Sequence, residues 1–360
     1  MVVERTDTAR GRIAARAGGS ATLAVLRDPR RLRTEVFAGM VVALALVPET
    51  ISFSILAGVG PQIGLVTSFL FAMTIAIVGG RPAMISAAAG SVALVLAPLV
   101  REHGVQYLIA AVLLGGVLQL LLSLAGVAKL MRFVPPSVVT GFVNGLAILI
   151  FAAQVPHLAG VPWLVYPLTA VGLVIMVVLP RLTRAIPAPL VATTLLTLAA
   201  VVFTLNVPAV GDEGRVGAGL PDLLFPDVPL SLATLQIVFP YALGLAMVGL
   251  LETFLTQQLV DDITGTPSNM RREGCGQGIA NLVTGFFGGM GGCAMIGQTM
   301  MNVKECGGRT RVSTFVAGLS LLVLVVFAAP VLAVIPMAAL VAVMIMVSFA
   351  TIPSRRSSSR

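Results

Sequence analysis

The sequence predicts an all-α polytopic membrane protein with about twelve apolar segments, most of them of bilayer-spanning length. Three observations carry that prediction. First, mean hydropathy is +1.01 and only 11% of residues are charged, against about 25% in an ordinary soluble domain. That leaves too little charge to cover a soluble core of this size. Second, let the N-terminus start in the cytoplasm and every segment cross. All of the 23 Lys and Arg except Arg101 and Arg215 then fall on the cytoplasmic side. Third, two apolar stretches in corresponding halves are too short to span alone, and each opens on a run of small residues.

The elements follow in chain order. Residues 1–33 are basic, from Arg5 to Arg33, and lack an apolar h-region. They read as a cytoplasmic arm rather than a signal peptide. The transmembrane region runs from 34 to 350. Its first repeat, 34–206, holds segments 36–55, 62–79, 86–100, 106–126, 136–155, 161–179 and 187–206. Residues 207–231 carry Asp212, Glu213, Asp222 and Asp227 against a single Arg215 and read as an external loop. The second repeat, 232–350, holds segments 234–257, 275–289, 293–303, 312–333 and 335–350. An inverted repeat with seven segments per half would need two more crossings than this. The end, 351–360, is a polar tail that cannot span lipid.

Several function classes are disfavoured. The net charge of +8 follows from the one-sided placement of the basic residues, so a nucleic-acid partner is not expected. Cys275, Cys293 and Cys306 show no C-x-x-C spacing and there are only two histidines, so neither a metal nor a redox cofactor is expected. No nucleophile–base pair suggests an enzyme.

Two runs carry the chemistry. Ser86-Ala87-Ala88-Ala89-Gly90-Ser91 leads into Val92–Leu99, and Gly288–Ala294 leads into Met295–Val303. Helix N-termini at mid-membrane depth offer free N–H groups and a positive dipole end to an anion. Small residues also permit close helix packing with no ligand; the pairing of the two runs favours a site. Glu49 and Glu252 are the acids placed within spans, where charge is costly. Pro48 removes a donor and should disrupt its helix near position 44, and Thr50, Ser52 and Ser54 would add hydroxyls to a polar lining. Glu252 and Thr256 are four apart and share a helix face, which suits Na⁺ or a transferable proton. For either glutamate the alternative is a structural hydrogen bond. Asn144, Gln154, Gln298 and Thr299 read mostly as interhelical hydrogen bonds, and Arg81 as a snorkelling anchor at the membrane edge.

The chain resembles the sulfate permease (SulP) family of inorganic anion transporters. The stretches that carry the resemblance are Leu46–Gly64 (LVPETISFSILAGVGPQIG), Gly79–Ser91 (GGRPAMISAAAGS) and Leu130–Gly145 (LMRFVPPSVVTGFVNG). Gly249–Thr264 (GLLETFLTQQLVDDIT) and Gly276–Lys304 (GQGIANLVTGFFGGMGGCAMIGQTMMNVK) continue it. The resemblance implies fourteen segments in two inverted seven-helix repeats, a core domain moving against a gate domain, and usually a cytoplasmic STAS domain. It implies an anion site between the third and tenth helices, at Ala87, Ala88, Ala89, Gly90 and Ser91 and at Ala294, Met295 and Ile296. It makes Glu252 and Thr256 the candidates for a Na⁺ coupling ion, although sodium-coupled members usually carry Asp at the first position and use a hydroxyl that falls here on Ile296. It associates Glu49 with the substrate cavity and proton coupling. On this pattern the final two helices and the STAS domain are missing, through truncation or supply by another chain. The expectation is secondary active transport of sulfate or bicarbonate, coupled to Na⁺ or H⁺. The protein is expected to be a homodimer in the lipid of the cell membrane, multi-pass, with a cytoplasmic N-terminus. Two rivals stand beside it: a nucleobase permease of the same architecture, and a transport-inactive form or partner subunit of a full-length transporter.

Overall fold

The computed structural model describes residues 22–129, 135–182, 187–214, 223–229 and 231–351. The arm up to residue 21, Arg215, Asp222, the start of the Leu130–Gly145 motif and the tail from 352 lie outside the described residues. The elements are α1 Pro29–Leu56, α2 Pro61–Val78, β1 Ser86–Ala88, α3 Gly90–His103, α4 Val105–Ala125, α5 Pro136–Ala152, α6 Val165–Leu182 and α7 Ala188–Val202. After the loop come α8 Leu232–Thr264, α9 Met270–Phe286, β2 Gly292–Ala294, α10 Ile296–Met300 with a π turn Met301–Glu305, α11 Arg311–Phe327, α12 Ala329–Ala333 and α13 Met337–Thr351. Among the described residues six helices are long and apolar enough to cross a membrane, and α7, α11 and α13 are shorter apolar ones. This is a multi-pass, all-α membrane fold, interrupted among the described residues by one pair of three-residue strands.

The helices form two packing groups. In the first, α4 packs on α8 and α9, and α2 and α11 pack on each other and on α1. Glycine sets these distances. A Cβ on Gly116 of α4 would lie 2.9 Å from the Gly278 carbonyl oxygen of α9, and one on Gly278 would lie 2.8 Å from that of Gly116. The two backbones therefore touch, which is how apolar helices associate where lipid offers no hydrophobic drive. In the second group α13 packs on α5, α6 and α7. Residues such as Ile148, Leu149, Val174 and Leu198 stay exposed there, as a face turned to lipid requires. The loop after α7 is pinned to the α12–α13 connection, with the Val210 N–H donating to the Ile335 carbonyl (2.9 Å) and the Met337 N–H to that of Pro208 (2.8 Å).

Several sequence expectations change here. Pro48 does not disrupt α1, which runs 28 residues through it; the Ser52 hydroxyl donates to the Pro48 carbonyl at 2.8 Å. Thr50 and Ser54 likewise turn back to Val47 and Ile51 of their own helix, so the three hydroxyls do not form a polar lining. Segment 234–257 is the middle of a 33-residue helix, and segment 312–333 divides into α11 and α12 around Ala328. Glu49 and Glu252 are not the only acids in helices: Glu35 and Glu273 are buried as well. Glu35 accepts from the N–H groups of Arg309 (2.7 Å), Thr310 (3.0 Å) and Ser313 (3.2 Å) at the start of α11, where a carboxylate complements the helix dipole. Glu273 accepts from the Gly80 and Arg81 N–H groups.

Arg81 is not a snorkelling anchor. Its side chain is 6% exposed and meets Asp261 at 3.0 Å. It also donates to the Thr264 hydroxyl at 2.5 Å and the Thr266 carbonyl at 2.8 Å. These acceptors at the end of α8 outcompete water for the guanidinium, because its fixed fork finds several of them at once. Burial lowers its pKa, and the charge of Asp261 offsets only part of that.

Candidate functional site

β1 and β2 run antiparallel in the register Ser86↔Ala294, Ala87↔Cys293, Ala88↔Gly292. The small-residue runs are extended because two chains cross there with almost no room. A Cβ on Gly292 would collide with the Ala87 carbonyl, and Gly288 and Gly291 have φ of +71° and +76°, a conformation that glycine adopts freely. One residue separates each strand from the helix that follows it. Ala89 and Met295 are the N-caps of α3 and α10, and neither helix receives a side-chain cap. Their first-turn N–H groups lack intrahelical acceptors by construction.

Helix α9 holds this crossing in place. Asn281 donates to the Gln119 side chain (2.8 Å) and the Gly292 carbonyl (3.2 Å), and accepts from the Gly292 N–H (3.0 Å). One turn earlier Gln277 donates to the Ser86 hydroxyl at 2.9 Å. Thr299 reaches back to Ile85, accepting from its N–H at 3.0 Å.

A cavity of about 570 Å³ opens at the two helix starts. Glu49 and Phe53 of α1, Ala89, Gly90 and Ser91, Glu252 and Leu255 of α8, and Met295 to Gln298 form one wall. Phe142, Val143, Leu146 and Ile150 of α5 face them, with Met176 of α6 and Met346 of α13. Three carboxyl groups line it, from Glu49, Glu252 and Glu305, and among the described residues no Lys, Arg or His does. The Glu252 carboxylate accepts from the Ser91 hydroxyl at 2.5 Å and the Cys293 thiol at 3.2 Å. The Glu49 carboxylate accepts from the Gln298 side-chain amide.

Of the residues singled out from sequence, Glu49, Ala89, Gly90, Ser91, Glu252, Met295 and Ile296 meet at this cavity. Ala87, Ala88 and Ala294 do not. They lie in the strand pair, fully buried, with the Ala88 N–H given to the Ser68 hydroxyl (3.2 Å) and that of Ala294 to the Thr253 hydroxyl (3.3 Å). Thr256 is also outside the lining: its hydroxyl donates to the Glu252 backbone carbonyl at 2.8 Å. Gln154 bonds its own helix at Ile150 rather than a neighbour. Phe53 is not singled out by the sequence, and Cys293 enters there only as a member of the Gly288–Ala294 run, without its contact to Glu252. Phe53 could have been found, since it follows Glu49 by one helical turn; the Cys293 contact could not, because its partner is 41 residues away.

Residues 32–171 and 163–355 match the Sulfate permease family. The chain is 55% identical over 320 residues to the putative sulfate transporter YbaR of Bacillus subtilis (strain 168), covering 89% of this chain and 67% of that one. It is 29% identical over 345 residues to the bicarbonate transporter BicA of Picosynechococcus sp., covering 86% of this chain and 60% of the relative. The chain thus spans about two thirds of the length of the curated relatives it matches. Among solved structures, the transmembrane domain of a cyanobacterium bicarbonate transporter BicA superposes with a TM-score of 0.82 at 25% identity over 90% of each chain. Murine Slc26a9 in the inward-facing state gives 0.77 at 16% identity, over 90% of this chain and 61% of that one, a likeness of fold alone. With its helix order, its crossed strand pair and these matches along most of its length, the chain belongs to the sulfate permease family.

Proposed function

We propose that the chain carries out secondary active transport of a small inorganic anion, sulfate or bicarbonate, coupled to Na⁺ or H⁺. The observation that carries this reading is the meeting of two uncapped helix N-termini, those of α3 and α10, at one cavity inside the membrane fold. Their N–H groups and dipole ends favour negative charge, and the surrounding apolar wall strengthens that attraction. In this reading Ala89, Gly90, Ser91, Met295 and Ile296 supply the anion's wall. The names of YbaR and BicA, a sulfate and a bicarbonate transporter, support the same substrate class.

The carboxyl groups argue for a cation beside the anion. A cavity lined by three carboxyls and, among the described residues, by no basic one repels an anion unless a proton or a metal ion compensates. Glu252, flanked by Ser91 and Cys293, is the coupling-ion candidate, with Glu49 the cavity-lining acid. The Thr256 hydroxyl donates to the Glu252 backbone carbonyl and keeps its oxygen lone pairs for a Na⁺ shell. Transport would then be movement of the α1–α4 and α8–α11 core, 34–126 and 232–327, past the α5–α7 and α13 gate. The protein would work as a homodimer with its N-terminus in the cytoplasm.

Uptake of labelled sulfate and bicarbonate into proteoliposomes, with and without a sodium gradient and a proton gradient, tests this. Gradient-driven uptake of either anion is expected. Well-folded protein that takes up neither would favour a form that needs a partner subunit.

A further inference from the structure

The contact between Glu49 and Gln298 joins α1 to the first turn of α10, at the wall of the cavity. Both side chains are nearly buried, 6% and 5% exposed. We propose that Gln298 links protonation of Glu49 to anion binding by inverting its side-chain amide. This rests on the anion-transport reading above.

The chemistry follows from what each group can offer. An ionised carboxylate only accepts hydrogen bonds, so Gln298 must present its NH₂ to Glu49, as it does, and the other end of the amide is a carbonyl oxygen that can only accept. That oxygen is the wrong end for an anion. When Glu49 takes a proton it becomes a donor, and its best acceptor on Gln298 is the carbonyl oxygen. Rotation of the amide about its broad terminal torsion then delivers the NH₂ to the cavity, beside the free N–H groups of α10. One proton is taken from water, one hydrogen bond reverses direction, and one donor is gained by the anion. No bond other than the carboxyl O–H is made.

The charged surroundings leave Glu49 as the group that does this. Of the elements packed on α1, α2, α7, α13 and β1 carry no charged residue. Helix α3 carries Arg101, Glu102 and His103 at its far end, and α11 carries Arg311, which is bound to the carbonyls at the end of α2. The π turn after α10 carries Lys304 and Glu305, both exposed. Glu252, the half-buried carboxyl on the same side of the cavity, already has two donors.

Sulfate keeps its charge between about pH 5 and about pH 8, so a change in its affinity reports the protein. Binding of sulfate to the full chain in nanodiscs is expected to tighten by about tenfold or more over that fall in pH, the size of a typical coupling. Glu49→Gln, which donates as a protonated glutamate does, is expected to bind at the low-pH level at every pH. Gln298→Met, similar in volume and able to pack, is expected to bind weakly with little pH dependence. A wild-type slope in Gln298→Met would overturn the proposal, because the charge on Glu49 would then act without Gln298. A slope retained in Glu49→Gln would overturn it as well. Sulfate binding by the wild type with no slope would remove the coupling and leave the anion site standing; no binding at any pH would remove both.

Discussion

At the scale of single residues, Glu252 shows how much a carboxylate's role depends on what is aimed at it. Thr256 lies four positions along its own helix, yet the fold gives the Glu252 carboxylate Ser91 from α3 and Cys293 from β2. Ser91 is part of the proposed anion wall and Cys293 lies two residues before Met295 of that wall, so a charge change at Glu252 is felt there. Glu252→Gln is expected to lower gradient-driven uptake by about 10- to 100-fold, with an unchanged elution profile and melting curve; uptake that stays at wild-type level would take Glu252 out of the coupling role. Ala88 and Ala294 differ in kind. Enlarging either is expected to lower thermal stability by about 1–3 kcal/mol through overpacking rather than to block the anion, and unfolding in detergent followed by tryptophan-free probes such as a thiol dye would separate the two effects.

At the scale of elements, the strand crossing is the feature on which the cavity depends, and α9 is what holds it. The Asn281 amide satisfies both backbone groups of Gly292 and reaches Gln119 on α4. Asn281→Leu leaves those buried groups without partners, an expected cost of about 2–4 kcal/mol, and the melting temperature should fall accordingly. Gly292→Ala is expected to cost about 1–3 kcal/mol, because its Cβ meets the Ala87 backbone, which has no flexible end to move. If Gly292→Ala melted like the wild type, the close crossing of the strands would not exist in solution.

At the scale of the whole molecule, two packing groups face each other across the cavity, and only the first carries the polar side chains that line it. The wall from α5, α6 and α13 is apolar, with Phe142, Leu146, Ile150, Met176 and Met346. Such a surface can slide past an ion without binding it. Leu146→Trp on α5 is therefore expected to slow uptake by about tenfold or more, since translocation steps set such rates, while sulfate binding stays near the wild-type value. A parallel loss of binding would show that α5 belongs to the anion's own wall.

The sequence by itself determined the membrane class, the helix order and most of the segment limits, because hydropathy, charge placement and Pro/Gly punctuation act locally along the chain. It also pointed to the paired small-residue runs and to Glu49 and Glu252, since a carboxylate in an apolar stretch is conspicuous without any partner in view. It did not reveal that those runs form strands: three residues of Ser and Ala or of Gly, Cys and Ala have no β pattern of their own, and pairing comes only from the chain crossing them 205 or so positions away, an order-of-magnitude separation that no local rule reaches. Nor did it reveal that Arg81 is buried on Asp261, that Glu35 caps α11, or that Ser91, Cys293 and Gln298 hold the two cavity acids. Each of these is a contact between distant positions, decided by which helix faces meet. Tertiary structure alone chose the partners, because a buried polar group takes whichever donor or acceptor the packed helices bring within reach.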